Sequence, residues 1–316
     1  MQRPGRLRAR TGSRTIDRIF VAVLLGAALV FLAIIAGLAA ELVNGSLLSL
    51  RTFGVAFLWT SQWNPITSKF GALPLIYGTI VSSLIAIVLA GLFGIFAAIF
   101  LADFAPGFLA RPLSFMIELL AAVPSVVFGL WGLFVLAPAM RTTIDPALQR
   151  VFGFLPLFSG PSYGVGLLTA GVVLALMIIP TVTAISRDVI ATIPTDQREA
   201  SMSLGATKWE TMMKVVVPAA RAGIFGAVVL AVGRALGETI ATTMVIGNRP
   251  EIAASLFAPS YTLASVIANE FTEATTDVYL SALVELGLLL FIVSVVVNAF
   301  ARVLMWSVFR GTRHAQ

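Results

Sequence analysis

Six stretches of this chain run apolar for more than twenty residues with few interruptions: 20–42, 75–101, 115–136, 165–185, 223–246 and 279–306. At about 1.5 Å of rise per residue, a helix of that length crosses the roughly 30 Å of hydrocarbon in a bilayer. Hydrocarbon offers no water to an unpaired N–H or C=O, so runs like these must close their bonds within themselves, as helices do. The expectation is an all-α integral membrane protein with six transmembrane helices. Composition agrees, with 59% of the 316 residues hydrophobic and only 11% charged.

An even number of crossings puts both termini on one side, and the basic residues choose which. With the ends in the cytoplasm, fifteen of the 21 Lys and Arg lie inside, among them Arg3, Arg6, Arg8, Arg10 and Arg14. Only Arg51, Lys69, Arg141, Arg150 and Arg249 lie outside, and Arg234 falls within a span. That bias follows the positive-inside rule, so the charge of +6 orients the chain and does not signal nucleic acid. The first run lacks a small-residue cleavage site, which marks it as a retained span, preceded by a basic tail over 1–19. The loops 43–74, 137–164 and 247–278 are then external.

Several chemistries are excluded. Cysteine is absent, so no disulfide or thiolate metal site is available. None of the three lysines follows a glycine, which rules out a P-loop. The single histidine, His314, lies in the terminal tail, where no membrane-embedded Ser–His protease or His-ligated zinc site can use it.

The polar island in the chain is 195–218. Asp196 and Glu199, then Thr207 and Glu210, repeat the spacing of a capping box, with Gly205 between them where a helix would end. Pro218 should stop the second helix's regular bonding just before the chain turns apolar again. Two short helices with an elbow follow, either resting among the headgroups or offered to a soluble partner's groove. Glu199-Ala200-Ser201, three residues, Gly205, nine residues and Val215-Val216-Val217-Pro218 resemble the EAA loop of ABC importer permeases. That pattern is E-A-A, three residues, G, nine residues, I-x-L-P; Ser201, Val215 and Val217 depart from it. The resemblance implies a coupling helix docking into a separate ATP-binding subunit.

Within the spans, Pro124-Ser125 and Pro180 each interrupt a helix, as helices lining a cavity often are. Gly226, Gly233 and Gly237 form a smooth strip for close packing. Arg234 should lie roughly 20 Å into the fifth helix, with Glu238 one turn on along the same face. A charge at that depth costs at least about 2.5–3.5 kcal/mol, so it must pair or meet water. Either the two residues staple helices together, or they belong to a translocation path with Thr239, Thr242 and Thr243 as hydroxyl donors. Glu118 and Glu285 are the other carboxylates expected at membrane level and the alternative partners of Arg234.

The segments 63–65, 70–79, 122–132 and 233–239 further resemble the C-type permease subunit of the phosphate-specific ABC importer, with similarity from about Thr52 onward. That resemblance implies a type I permease fold with a core over 75–307, in a bacterial inner membrane. It also implies a second homologous permease, two ATP-binding subunits holding ATP and Mg, and an external phosphate-binding protein meeting the outer loops. This chain would bind no cofactor itself, and transport would use Arg234 and Glu238. Other oxyanions (sulfate, molybdate, tungstate) remain alternative cargoes, as does a stand-alone ion-coupled carrier using Arg234, Glu238 and Glu285 as a relay.

Overall fold

The computed structural model describes residues 13–309, with side chains over 16–306, so the basic tail residues Arg3–Arg10 and the chain beyond 309 lie outside the described residues. The chain is helical nearly throughout: α1 (Ser13–Phe53), α2 (Leu73–Phe104), α3 (Gly107–Ala121), α4 (Ser125–Phe152), α5 (Leu167–Ala191), α6 (Thr195–Ser203), α7 (Lys208–Leu236), α8 (Ile240–Val245), α9 (Leu263–Glu270) and α10 (Asp277–Phe309). Among the described residues six of these, α1, α2, α4, α5, α7 and α10, are long and apolar enough to cross a membrane.

Three boundaries differ from the expectation. The first helix does not stop at 42 but runs to Phe53, which shortens the first outer loop. The third span does not begin at 115. Residues Gly107–Ala121 form the separate helix α3, which buries none of its side chains in this chain, and the span starts at Ser125. The fifth span is not 223–246: it begins at Lys208 and ends at Leu236.

α5 is the centre of the bundle, and α2 and α7 flank it at distances that only small residues allow. A Cβ on Gly171 would meet Ile85 at 2.5 Å, and one on Gly223 would meet Val189 at 2.4 Å. Such approach lets van der Waals contact hold helices where lipid supplies no hydrophobic drive. Pro180 is accommodated inside α5 without ending it. The expected strip on α7 is not packed in this chain along its length. Gly226 has open space where a Cβ would stand, and a Cβ on Gly233 would only graze Asn298 at 3.8 Å.

At the external end, Trp63, Phe70 and Tyr279 stack beside Phe57 in one buried cluster. Trp63 Nε1 and the Tyr279 hydroxyl both donate to Glu270 Oε2, at 2.8 and 2.6 Å. Burial pushes the neighbouring Tyr261 phenol up to about 12, so it stays a neutral donor and acceptor. The loop after α8 folds back over the start of α5, where the N–H groups of Gly166, Leu167 and Leu168 find Val245, Ala258 and Leu256 carbonyls. Those donors would otherwise be orphaned at the helix start.

Candidate functional site

Two places combine polar residues with interrupted backbone: the hairpin of α6 and the start of α7, and a pair of helix breaks deep in the bundle.

In the hairpin, the Thr207 side chain accepts from the Glu210 N–H at 3.2 Å and Glu210 Oε2 accepts from the Thr207 N–H at 3.0 Å, closing the second capping box. The first expected box does not form. Pro194 occupies the N-cap position of α6 with no side-chain bond, and Asp196 lies in its first turn, because the extended backbone of Pro194 already sets the entry angle. Gly205 has φ +90°, a left-handed conformation that disfavours any side chain. Ser201, at the position of the second EAA alanine, places its hydroxyl 2.9 Å from that of Thr211 and ties the hairpin's two arms. Glu199, Ala200, Met202 and Leu204 stay exposed, Leu204 at 90%.

Just before Pro218 the regular bonding of the second arm gives way, but the helix does not end. The helix widens into a π turn over Met212–Val216, Val217 donates to the Met212 carbonyl, and α7 continues unbroken into the membrane. A wider turn is where a residue without an N–H fits at least cost.

The deep breaks are at 122–124, before α4, and 237–239, between α7 and α8. α4 and α8 lie against each other with glycine at the contact: a Cβ on Gly129 would stand 3.0 Å from Ala241 Cα, and one on Gly132 would stand 2.9 Å from Val245. Gly129 precedes Gly132 as Ala241 precedes Val245, so the two helices run the same way and both breaks lie at one level. Ala231 and Ala235 pack with Leu174, Ala175 and Ile178, which places that level at the middle of α5, near Pro180.

Arg234 is in the last turn of α7 at this level. Its side chain is exposed on the surface of the chain, and among the described residues it has no hydrogen bond or ion pair. It does not share a helical face with Glu238, because the helix ends at Leu236 between them. Glu238 instead turns forward and accepts from the Ala241 N–H at 3.2 Å, capping α8. Thr239 and Thr243 spend their hydroxyls on the carbonyls of Gly237 and Thr239, at 3.2 and 2.8 Å. Thr242 is 1% exposed with its oxygen unpartnered, facing the packed side of α8. Pro124 is the N-cap of α4, its carbonyl accepts from the Val127 N–H at 3.0 Å, and the N–H groups of Ser125 and Val126 come before the first of the helix's own bonds.

Neither alternative carboxylate joins this group. Glu118 lies outside the spans, in α3, and binds Arg187 at 3.1 Å, with its side chain 56% exposed. Glu285 is in α10, 3% exposed, against α1 and not against Arg234. What sequence reasoning missed is the break at 237–239: Gly237 is its one signal, and the apolar run continues across it.

The family model described as the binding-protein-dependent transport system inner membrane component matches residues 90–309. The chain is 49% identical over 293 residues to the phosphate transport system permease protein PstC of Mesorhizobium japonicum, covering 92% of this chain and 90% of that one. It is 46% identical to the protein of the same name from Pasteurella multocida, covering 86% of each. Among solved structures, a bacterial ABC transporter for alginate import aligns with TM-score 0.62 at 13% identity, covering 95% of this chain and 99% of that one. An inward-facing MetNI methionine ABC transporter aligns at 0.53 and 18%, covering 74% and 94%. These last two carry the fold alone.

Proposed function

Because this chain belongs to the binding-protein-dependent transport system inner membrane component family, and is a multi-pass inner-membrane permease subunit of a phosphate ABC importer, we propose that the helix breaks at 122–124 and 237–239 line the path of the anion. One observation carries this reading: Arg234, level with the middle of α5 in a helix long and apolar enough to cross a membrane, is exposed and has no hydrogen bond or ion pair among the described residues. An arginine in that position costs at least about 2.5–3.5 kcal/mol unless water or a counter-charge meets it, so its surface faces a cavity. The start of α4 adds the first-turn N–H groups of Ser125 and Val126 and the positive end of a helix dipole, both suited to an oxyanion. Glu238 keeps free lone pairs after capping α8 and can accept a bond from phosphate's remaining hydroxyl, which sulfate lacks.

The remaining assembly is part of the same proposal. A second homologous permease completes the cavity, two ATP-binding subunits take up the hairpin through Glu199, Ala200 and the exposed face of α6, and a phosphate-binding protein docks outside. ATP and Mg belong to the ATP-binding subunits. The termini and the hairpin are cytoplasmic.

Uptake of labelled phosphate by the reconstituted complex tests the path. Arg234→Gln and Arg234→Lys should each lower uptake by roughly tenfold or more, the value of a lost charge-assisted bond. Glu238→Gln should narrow the preference for phosphate over sulfate. If the double change Arg234→Gln with Glu238→Gln recovers transport with selectivity unchanged, the pair is architecture and the path lies elsewhere.

A further inference from the structure

The hairpin is joined covalently to α5 and α7 but also grips a helix to which it has no covalent link. Asp103 lies in the π turn that ends α2, over Phe100–Phe104. Its carboxylate holds Arg198 Nη1 of α6 at 3.1 Å, with the two side chains 21% and 15% exposed. The same guanidinium reaches back to the Ile190 carbonyl of α5 at 2.8 Å, and its Nε is buried without a partner. From the other arm, Lys208 Nζ donates to the Asp103 carbonyl and lies 5.2 Å from the centre of the Phe104 ring. Trp209 packs on that ring at 5.9 Å. Directly inward, Ala98, Ile99, Ile190, Met212, Val216 and Ala220 form a dry cluster, so a push on the hairpin meets packed side chains and not slack.

The far end of α2 is bound as firmly to the external loop after α8. Tyr77 Oη donates to the Ala253 carbonyl at 2.6 Å, the Leu263 N–H donates to Thr79 Oγ1 at 2.9 Å, and Gly78 abuts the Tyr261 carbonyl. From Tyr77 to Asp103 the helix spans roughly 40 Å.

We propose that Asp103 is a positioning residue that transmits displacement of the hairpin into α2 and through it to the external loop 247–262. The inference rests on the hairpin being the ATPase-docking element. Like α5, α2 is bonded to the hairpin at one end and to that loop at the other, but α2 is not the hairpin's neighbour in sequence and reaches it through the Asp103 grip. Removing the Asp103 charge also leaves Arg198 nearly buried without its counter-charge, so the grip is lost as a unit.

The test uses the whole reconstituted complex with Asp103→Asn, and a cysteine at exposed Ala254 as a probe, since the chain has no cysteine of its own. The ATP-binding subunits should co-purify as with the unmodified chain and hydrolysis should continue. Phosphate moved per ATP should fall roughly 2- to 30-fold, the range for mutations that weaken coupling between sites. Labelling of the cysteine from outside, ATP-dependent in the parent, should stop responding to ATP. Asp103→Arg with Arg198→Asp should restore both. Unchanged stoichiometry, or labelling that still follows ATP, overturns the proposal. So does loss of co-purification, which would make the ion pair part of the docking face. Failure of the unmodified chain to co-purify would instead refute the docking reading. Should Asp103→Asn not accumulate, Arg198→Gln removes the same bond from the other side and must show the same split.

Discussion

Glu285 holds its place in the membrane by what surrounds it. Its Oε2 and the Ser49 hydroxyl of α1 are both buried without a hydrogen-bond partner among the described residues, while the Ser49 N–H donates to Ser281 Oγ at 3.0 Å and Ser281 donates to the Gly45 carbonyl at 2.8 Å. An isolated charge in such a setting is far more expensive than a neutral group of the same shape. Glu285→Gln should therefore leave the thermal stability of the solubilised subunit nearly unchanged, whereas Glu285→Ala, which opens a cavity and strips the site of polar atoms, should lower it by about 2–4 kcal/mol. A Gln variant that unfolds as early as the Ala variant would show that the charge itself is in use. Arg234 presents the opposite case, an exposed charge with no hydrogen bond or ion pair among the described residues.

Among the elements, the hairpin depends on Gly205. A β-branched side chain at φ +90° is strained by about 1–3 kcal/mol, and Asn tolerates that region better. Gly205→Val should insert normally yet lose ATPase association or coupled hydrolysis, with Gly205→Asn retaining most of both; full transport by the Val variant would reduce the hairpin to a surface feature. This element was readable in advance because its signals are local: Thr207 and Glu210 sit three residues apart and meet as that spacing demands. The breaks were not. Pro124 reads as a kink, but a proline also pushes its predecessor out of helical backbone, and here that separates α3 from α4 altogether. At 237–239 no proline marks the break, and Ile240, Ala241 and Val245 carry the hydropathy straight across it. Face assignments that assume one continuous helix, as for Arg234 and Glu238, fail at such a point. The level of Arg234 along the bundle is set instead by Ala231 and Ala235, which pack on the middle of α5 whatever follows them.

For the whole molecule, orientation is the first thing to establish. Single cysteines near Arg10 and at Thr207 should be labelled only from the cytoplasm and one at Ser159 only from outside; labelling of Thr207→Cys from outside would remove the hairpin from the side where ATP is. The order of synthesis adds a further constraint. α1 packs through Gly45 and Ser49 on Val284 and Ser281 of α10, a contact spanning 232 residues of sequence. At 5–20 residues per second, the first span made waits on the order of ten to fifty seconds for the last. Through that interval the hydroxyls of Ser46 and Ser49 face lipid, a chaperone or a passing helix, so a chain stalled before α10 displays a polar stripe on its oldest segment. Membrane quality control could read that stripe as the mark of an unfinished permease.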